Sequence, residues 1–530
     1  MIEVSEFRAY AVDPSLYISP GYCYTDGHHH EWFRCLGYSS IFPGSIDYTP
    51  RPRKISSKMS LVRMSGLDAT LQGRLERRET QGKLRHLVTP RPDLADFSSN
   101  DYLSLSHDPA IRKALISHLN DTDESPRLFS NGRVIGSGGS RLLDGNSVFA
   151  ERLERKIADF HGSEDALLFT SAYDANVGII SCVPGAEDII LYDDLIHASI
   201  HDGMRLSRAR KRIAFSHGSI IKQALEQQSE KDSMGNAAAS GPQSLELTLK
   251  QLVDSDRRVR TGQSNVFICV EGLYSMDGDI ADLKYVTDVV EAFLQNQNGY
   301  IIVDEAHSIG VLGGGGGLVC QLGLRDRIWA RVVGFGKAMG CAGGAVLCSS
   351  IARLYLINYA RTLIYTTAMP FPSLASIDAA YDYMAHGKAK GRRQQLGLLI
   401  QHCYAKLDDL GKRRMLDTTI LRLPKGRPNS PIIPLFTGHP KSLARHCQLS
   451  GFMIRAIVAP TVPRGQERIR ICIHASNTME QIDGLFQAIE IWLSNFEAEQ
   501  EGKPKEPYPA CDITREDLLK NSGERIAPKL

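Results

Sequence analysis

The sequence predicts an α/β fold: a large domain on a mostly parallel sheet, followed by a smaller α+β domain. Three observations carry this. Short apolar runs alternate with helical patterns between about residues 111 and 365, as strands joined by crossover helices do. Two of the runs lead into polar chemistry: Ile301-Ile302-Val303 stops at Asp304, and Val332-Val333 precedes Gly334-Phe335-Gly336-Lys337. Beyond about Thr366 the chain turns to long helical patterns with only two strand candidates.

The elements follow in order. Residues 1–63 mix aromatic residues, Pro and Gly without a sustained period and end near the basic run Arg51-Pro52-Arg53-Lys54. They are expected to be a disordered leader or an artefact of start-site choice. An N-terminal segment, 64–110, holds a Leu-, Arg- and Glu-rich helix over 67–87. Phe149, Leu153, Ile157 and Phe160 share one helical face. Strands are expected at 166–169, 266–270, 301–303, 331–333 and 345–347. Residues 227–263, rich in Ser, Gly and Gln, read as an insertion in a surface loop. Five glycines, 313–317, lack the Lys-Ser/Thr of a phosphate loop and read as a flexible connection.

The small domain, 366–497, opens with a helix-rich stretch to Arg413. Strands follow at 432–436 and 468–473, then a helix with Ile482, Leu485, Ile489 and Leu493 on one face. The tail, 498–530, is rich in Lys, Glu and Pro and is expected to be disordered.

Composition excludes several classes. With 42% hydrophobic and 23% charged residues the chain is of ordinary globular type. A net charge of +2 gives no field for a nucleic acid or an anionic membrane. No apolar run is long enough to span a bilayer, and the first residues lack the apolar core of a secretory signal. The 11 cysteines form no CxxC pair and read as reduced, intracellular thiols. His28-His29-His30 has no second ligand cluster at zinc-site spacing, so no metal is expected.

Asp304 and Lys337 carry the chemical reading. An acid at the C-terminal end of a buried strand, with a lysine in a later strand-end loop, is what pyridoxal phosphate (PLP) needs. The acid serves its pyridine nitrogen and the lysine its aldehyde.

Further blocks extend this pair into a resemblance. They are Phe97-Ser98-Ser99-Asn100-Asp101-Tyr102-Leu103, Gly136-Ser137-Gly138-Gly139-Ser140-Arg141, His197-Ala198-Ser199, Glu271-Gly272-Leu273-Tyr274-Ser275-Met276-Asp277-Gly278, Asp304-Glu305-Ala306-His307, Gly336-Lys337 and Pro460-Thr461-Val462-Pro463-Arg464-Gly465. In this order they resemble the α-oxoamine synthases, PLP-dependent transferases of fold type I, over about 65–496. Within the family, the stretch from Leu195 to Arg205 is especially similar to fungal members of biotin synthesis.

The resemblance implies a role for each matched residue. Lys337 would bind the cofactor aldehyde and then remove the Cα proton of the amino acid. Asp304 would hold the pyridine N–H, His307 the phenolic oxygen, and His197 would stack on the ring. Ser275 and Glu271 would orient the cofactor and His197. The backbone at Ser171, Ala172 and Tyr173 would hold the phosphate. Two departures stand out: Ala172 where the family usually has Gly, and Gly334 where it usually offers a Thr or Ser hydroxyl. Thr367 would reach the phosphate of a neighbouring subunit, which implies a homodimer with shared sites. Arg468 and Arg470 alternate along one strand, and the family match favours Arg470 as the fork for the amino-acid carboxylate. Asn100, Tyr102 and Arg85 would line the acyl side of the pocket, and the loop of Gly136 to Ser140 would let the thioester approach.

The implied reaction is the decarboxylative condensation of an amino acid with an acyl-CoA. L-alanine and pimeloyl-CoA are favoured. A lipid or polyketide pathway with a longer acyl thioester is the alternative, and a non-catalytic partner subunit a further one. The terminal Pro528-Lys529-Leu530 resembles a Ser-Lys-Leu peroxisomal address. The expected location is the peroxisome, otherwise the cytoplasm.

Overall fold

The computed structural model describes residues 65–120, 133–221, 241–414 and 416–500. The expectations for the leader, the His28-His29-His30 run, the tail and the terminal tripeptide lie outside these residues. The chain divides into two units, 1–84 and 85–530.

In the first unit, α1 (Gly66–Thr80) starts where the Ser65 side chain accepts the Asp68 N–H. It ends seven residues earlier than the sequence predicts. Gly82 takes φ 62°, and Lys83 N–H turns back to the Arg78 carbonyl. Glycine reaches that left-handed conformation without a Cβ clash, so the helix terminates there.

The second unit runs through β1 (Ala95–Asp96), α2 (Pro109–Asn120), α3 (Val148–His161), β2 (Asp165–Phe169), α4 (Ala172–Cys182), β3 (Ile189–Asp193), α5 (Ala198–Leu206) and β4 (Lys211–Phe215). It continues with α6 (Leu245–Ser255), β5 (Val266–Glu271), α7 (Leu283–Phe293), β6 (Gly299–Asp304), β7 (Ala330–Gly334), β8 (Gly344–Cys348) and α8 (Ser350–Tyr359). Seven of these strands form one sheet in the order β2-β8-β7-β6-β5-β3-β4, parallel except for β8.

Alternation along the strands feeds two cores. Val270 and Val303 enter one cluster, while Cys269 and Ile302 enter the other. Burial on both faces explains why these strands read as continuous apolar runs. The two strands not anticipated, β3 and β4, lie at one end of the sheet. β4 is an edge strand that begins Lys211-Arg212, which masks its pattern.

Two expectations are corrected. The second half of the 227–263 insertion is not loop: α6 buries Leu245, Leu249 and Leu252 at helical spacing. Its Ser- and Gln-rich surroundings concealed that stripe. The five glycines are not a flexible connection either. Gly313, Gly314, Gly315 and Gly317 all take positive φ, and the Gly316 carbonyl accepts from Arg331 at 2.7 Å. A Cβ on Gly317 would meet the Glu305 carboxylate at 2.5 Å, so the run is a tight turn wrapped on a buried ion pair.

The remaining elements are α9 (Phe371–Ala385), α10 (Lys390–Arg413), β9 (Ile432–Phe436), α11 (Pro440–Leu449), β10 (Phe452–Met453), β11 (Arg455–Ile457), β12 (Arg468–Cys472) and α12 (Met479–Gln500). Helix α9 packs against α2 and α3. The antiparallel sheet β11-β12-β9 holds β12 at its centre. Residue 97 stitches the N-terminal segment to it: Phe97 N–H donates to Met453 O and Cys472 N–H to Phe97 O, both at 2.9 Å. The predicted face of Ile482, Leu485, Ile489 and Leu493 is fully buried.

Candidate active site

The C-terminal ends of β5 and β6 set the acid pair. The strands pair in parallel register, which puts Glu271 opposite Asp304. Both are buried, at 3% and 6% exposure. Asp304 Oδ1 accepts the Ala306 N–H at 2.9 Å, and Oδ2 accepts the Asn176 amide at 2.6 Å. The Glu271 carboxylate accepts the backbone N–H of His197. Burial, with Asp304 beside it, pushes the Glu271 carboxyl well above the usual carboxylate range.

Lys337 follows β7 in a half-buried loop. Burial pulls its ammonium below the ordinary lysine range. Asp304 and Glu271 oppose that shift, and Arg470 adds to it. A lysine moved in this direction is closer to the neutral form a base requires.

His197 caps α5, and its Nδ1 accepts the Ser199 N–H at 3.2 Å. That bond places the lone pair on Nδ1 and the ring proton on Nε2. Burial holds the imidazole below its usual range. His307 lies in the turn after β6, at 6% exposure. Burial, with Lys337 and Arg470 near, keeps it well below the usual imidazole range.

Helix α4 begins at Ala172, with Ser171 as its cap accepting the Asp174 N–H. The N–H groups of Ala172 and Tyr173 belong to the first turn, which has no partner within its own helix. The two departures from the family pattern meet here. A Cβ on Gly334 would stand 3.1 Å from the Ala172 Cβ and 2.9 Å from that of Ala306. The methyl at 172 thus crowds the space a side chain at 334 would need.

Arg470, on central β12, donates to the Ser275 carbonyl at 2.9 Å and to Asn100 Oδ1 at 3.1 Å. Arg468 is turned to other work: it pairs with Asp277 and lies over the Phe436 ring. At 3% exposure it is buried rather than presented to a ligand. Tyr102 departs from its expected place. It has no exposed surface, so it cannot line an open acyl channel, and its hydroxyl meets His307 Nδ1 at 2.8 Å.

Three expected residues show no bond to this cluster among the described residues. Arg85 is exposed and makes no ion pair among the described residues. Thr367 is exposed in the single chain. Ser140 is half-buried, its carbonyl accepting Leu143 and Gly145 N–H groups. The loop of Gly136 to Ser140 is tied to the Thr367 region by Ala368 N–H to Gly139 O at 2.9 Å and Ser137 Oγ to Ala368 O at 2.8 Å.

Sequence reasoning missed Asn176 and Ser199 as partners. Asn176, at 1% exposure, sits among the buried apolar residues Ala175, Val177, Ile179 and Ile180 of α4. A lone amide on an apolar helix face is the signal that could have found it.

These groups fit pyridoxal phosphate. There is a buried acid for a protonated ring nitrogen, a lysine for the aldehyde and an imidazole for the ring. Two N–H groups stand at a helix start, with glycines at 334 and 344 where a Cβ would press on Ala172. Acid and lysine at the strand ends of a mostly parallel sheet define a PLP-dependent enzyme of the aminotransferase-like fold.

The chain belongs to the class I and II aminotransferase family, which it matches over residues 92–489, and within it is an acyltransferase of the α-oxoamine synthase type. It is 45% identical over 432 residues to the 8-amino-7-oxononanoate synthase of Emericella nidulans, covering 81% of this chain and 97% of that protein. It is 33% identical over 427 residues to the aminoacyl transferase sphA of Aspergillus fumigatus, covering 79% and 84%. The serine palmitoyltransferase structure from Sphingomonas wittichii superimposes with a TM-score of 0.64 at 22% identity, over 83% of this chain and 98% of that one. No described helix is long and apolar enough to cross a membrane.

Proposed function

We propose that the chain condenses L-alanine with pimeloyl-CoA, releasing CoA and CO2 and forming the amino ketone 8-amino-7-oxononanoate. The observation that carries the chemistry is the buried acid pair Glu271 and Asp304 at the ends of β5 and β6, with Lys337 in the loop after β7. The 45% identity to a synthase of that name supports the choice of substrates.

When bound, PLP supplies an electron sink for the carbanion at the amino acid Cα. Asp304 would pair with the pyridine N–H, and His307 and His197 would hold the ring at its oxygen and its face. Ser275 and Glu271 fix the strand end beneath them, and Ala172 and Tyr173 N–H groups receive the phosphate. Arg470 presents its remaining donors to the amino-acid carboxylate. Lys337 takes the Cα proton. The Cα–acyl bond then forms as the thioester C–S bond breaks, and the departing thiolate takes up a proton. Loss of the carboxylate as CO2 leaves Cα to be reprotonated, again by Lys337. Thr367 belongs to the same proposal: in a homodimer its hydroxyl would serve the neighbouring subunit's phosphate, and light scattering on the purified protein tests that assembly.

A longer acyl thioester is the second reading. Arg85 stands exposed with no bond to the cluster among the described residues, and the chain also resembles an aminoacyl transferase named sphA. Free-CoA release separates the two. Alanine with pimeloyl-CoA should release CoA rapidly, and Lys337→Ala should abolish it. Release only from palmitoyl-CoA, with alanine, glycine or serine, would overturn the first reading in favour of the second.

A further inference from the structure

One amide reaches both sides of the proposed cofactor site. Asn176 Nδ2 donates to Asp304 Oδ2 at 2.6 Å and to Ser199 Oγ at 3.0 Å. Ser199 Oγ stands 2.7 Å from His197 Nδ1. Since Nδ1 already accepts the Ser199 N–H, the serine hydroxyl donates to it as well, and the chain of donors runs Asn176 to Ser199 to His197. Ser199 has no exposed surface and Asn176 has 1%, so water does not replace these bonds. The Asn176 carbonyl oxygen finds no partner among the described residues. Flipping the amide would set that oxygen against the Asp304 carboxylate, so charge alone selects the orientation seen.

We infer that Asn176 is a positioning residue of the site, holding the Asp304 carboxylate in place while setting, through the Ser199 hydroxyl, the plane of His197. This rests on the roles proposed above for Asp304 and His197. The acid lies on a strand and the imidazole at a helix start, on separate elements. Helix α4 carries a side chain that registers them to each other, five residues from the N-terminal cap where the phosphate is proposed to sit. A hydrogen bond to an ionised carboxylate is about twice as strong as a neutral one. The Asp304 arm therefore dominates, and the Ser199 arm trims the imidazole.

The test uses the full chain, with Asn176→Ala, Asn176→Asp, Ser199→Ala and Asp304→Asn, each checked for wild-type circular dichroism. Two readouts are taken: the dissociation constant for PLP, and the pH dependence of the bound cofactor's visible absorbance. Asn176→Ala should weaken PLP by about tenfold to a hundredfold, the loss expected for a bond to a charged group. Asn176→Asp sets a second carboxylate against that of Asp304, so its absorbance midpoint should move by about one pH unit or more. Ser199→Ala should stay within about twofold of wild type in PLP affinity, because a neutral bond contributes little. If Asp304→Asn loses PLP while both Asn176 variants bind and titrate as wild type, the inference is overturned and the role of Asp304 stands. If Asp304→Asn itself is unchanged, the role of Asp304 fails and the inference with it. Equal losses in Ser199→Ala and Asn176→Ala would also overturn the ranking of the two arms.

Discussion

The Tyr102 hydroxyl stands 2.8 Å from Nδ1 of His307, in a region where Tyr102 has no exposed surface and His307 only 6%. The same hydroxyl lies 3.2 Å from Asn100 Oδ1, which also receives Arg470. The N-terminal segment, the turn after β6 and the C-terminal sheet are joined through these four side chains. Tyr102→Phe should cost about 1–3 kcal/mol, because it leaves a buried imidazole nitrogen unsatisfied. Chemical denaturation measures it, and an unchanged midpoint would show that the bond adds nothing.

The contact between positions 172 and 334 predicts a compensating pair. Gly334→Thr alone forces its Cβ against Ala172 and Ala306 and should destabilise the fold. Combined with Ala172→Gly, the threonine loses its clash at 172 and keeps only the one with Ala306. A double-mutant cycle should show a favourable coupling of about 1 kcal/mol or more. Additive effects would mean the two positions are independent.

His217 predicts a pH dependence of stability. Burial opposes its charge, but bonds to Asp193 (2.9 Å) and Asp279 (3.4 Å) outweigh that and push the imidazole from 6.5 to about 10. A value raised in the folded state contributes fully below the unfolded pKa and is lost as pH climbs through the folded one. Unfolding free energy should therefore fall between pH 6.5 and about 10, by at most about 1.4 kcal/mol per pH unit from this group. His217→Gln should flatten that slope in denaturation curves taken across the range. An unchanged slope would assign it to other groups.

Arg331 and Glu305 form a buried ion pair at 2.6 Å, with 5% and 0% side-chain exposure. Arg331→Met strands the Glu305 carboxylate and leaves the Gly316 carbonyl with His161 alone, a loss of about 3–5 kcal/mol. Adding Glu305→Gln should recover part of it, since the uncompensated charge is then gone. The glycine turn should become protease-sensitive in the single variant, and persistent resistance would contradict its dependence on Arg331.

Much of this was legible in the sequence, for a physical reason. Asp304, Glu271 and Lys337 lie at or just beyond the ends of continuous apolar runs, and such runs are what a sheet buried on both faces requires. His197 opens a helix, where cap chemistry is local. The helix end at Thr80 was misjudged because a single glycine, Gly82, outweighs several good helix formers by offering positive φ. Residues 245–255 were hidden by composition, although their leucines kept helical spacing.

What the sequence by itself determined is the set of elements and the chemistry at their ends: strand, acid, strand, lysine, and a helix start able to take an anion. Each follows from forces acting over a few residues. The tertiary structure alone decided the pairings. It set Asn176 against Asp304 across 128 residues of chain, and Tyr102 against His307 across 205. It turned Arg468 to Asp277 while leaving Arg470 at the site. A buried polar group must find a partner wherever the packed core brings one, and which partner that is depends on the register of elements far apart in the chain.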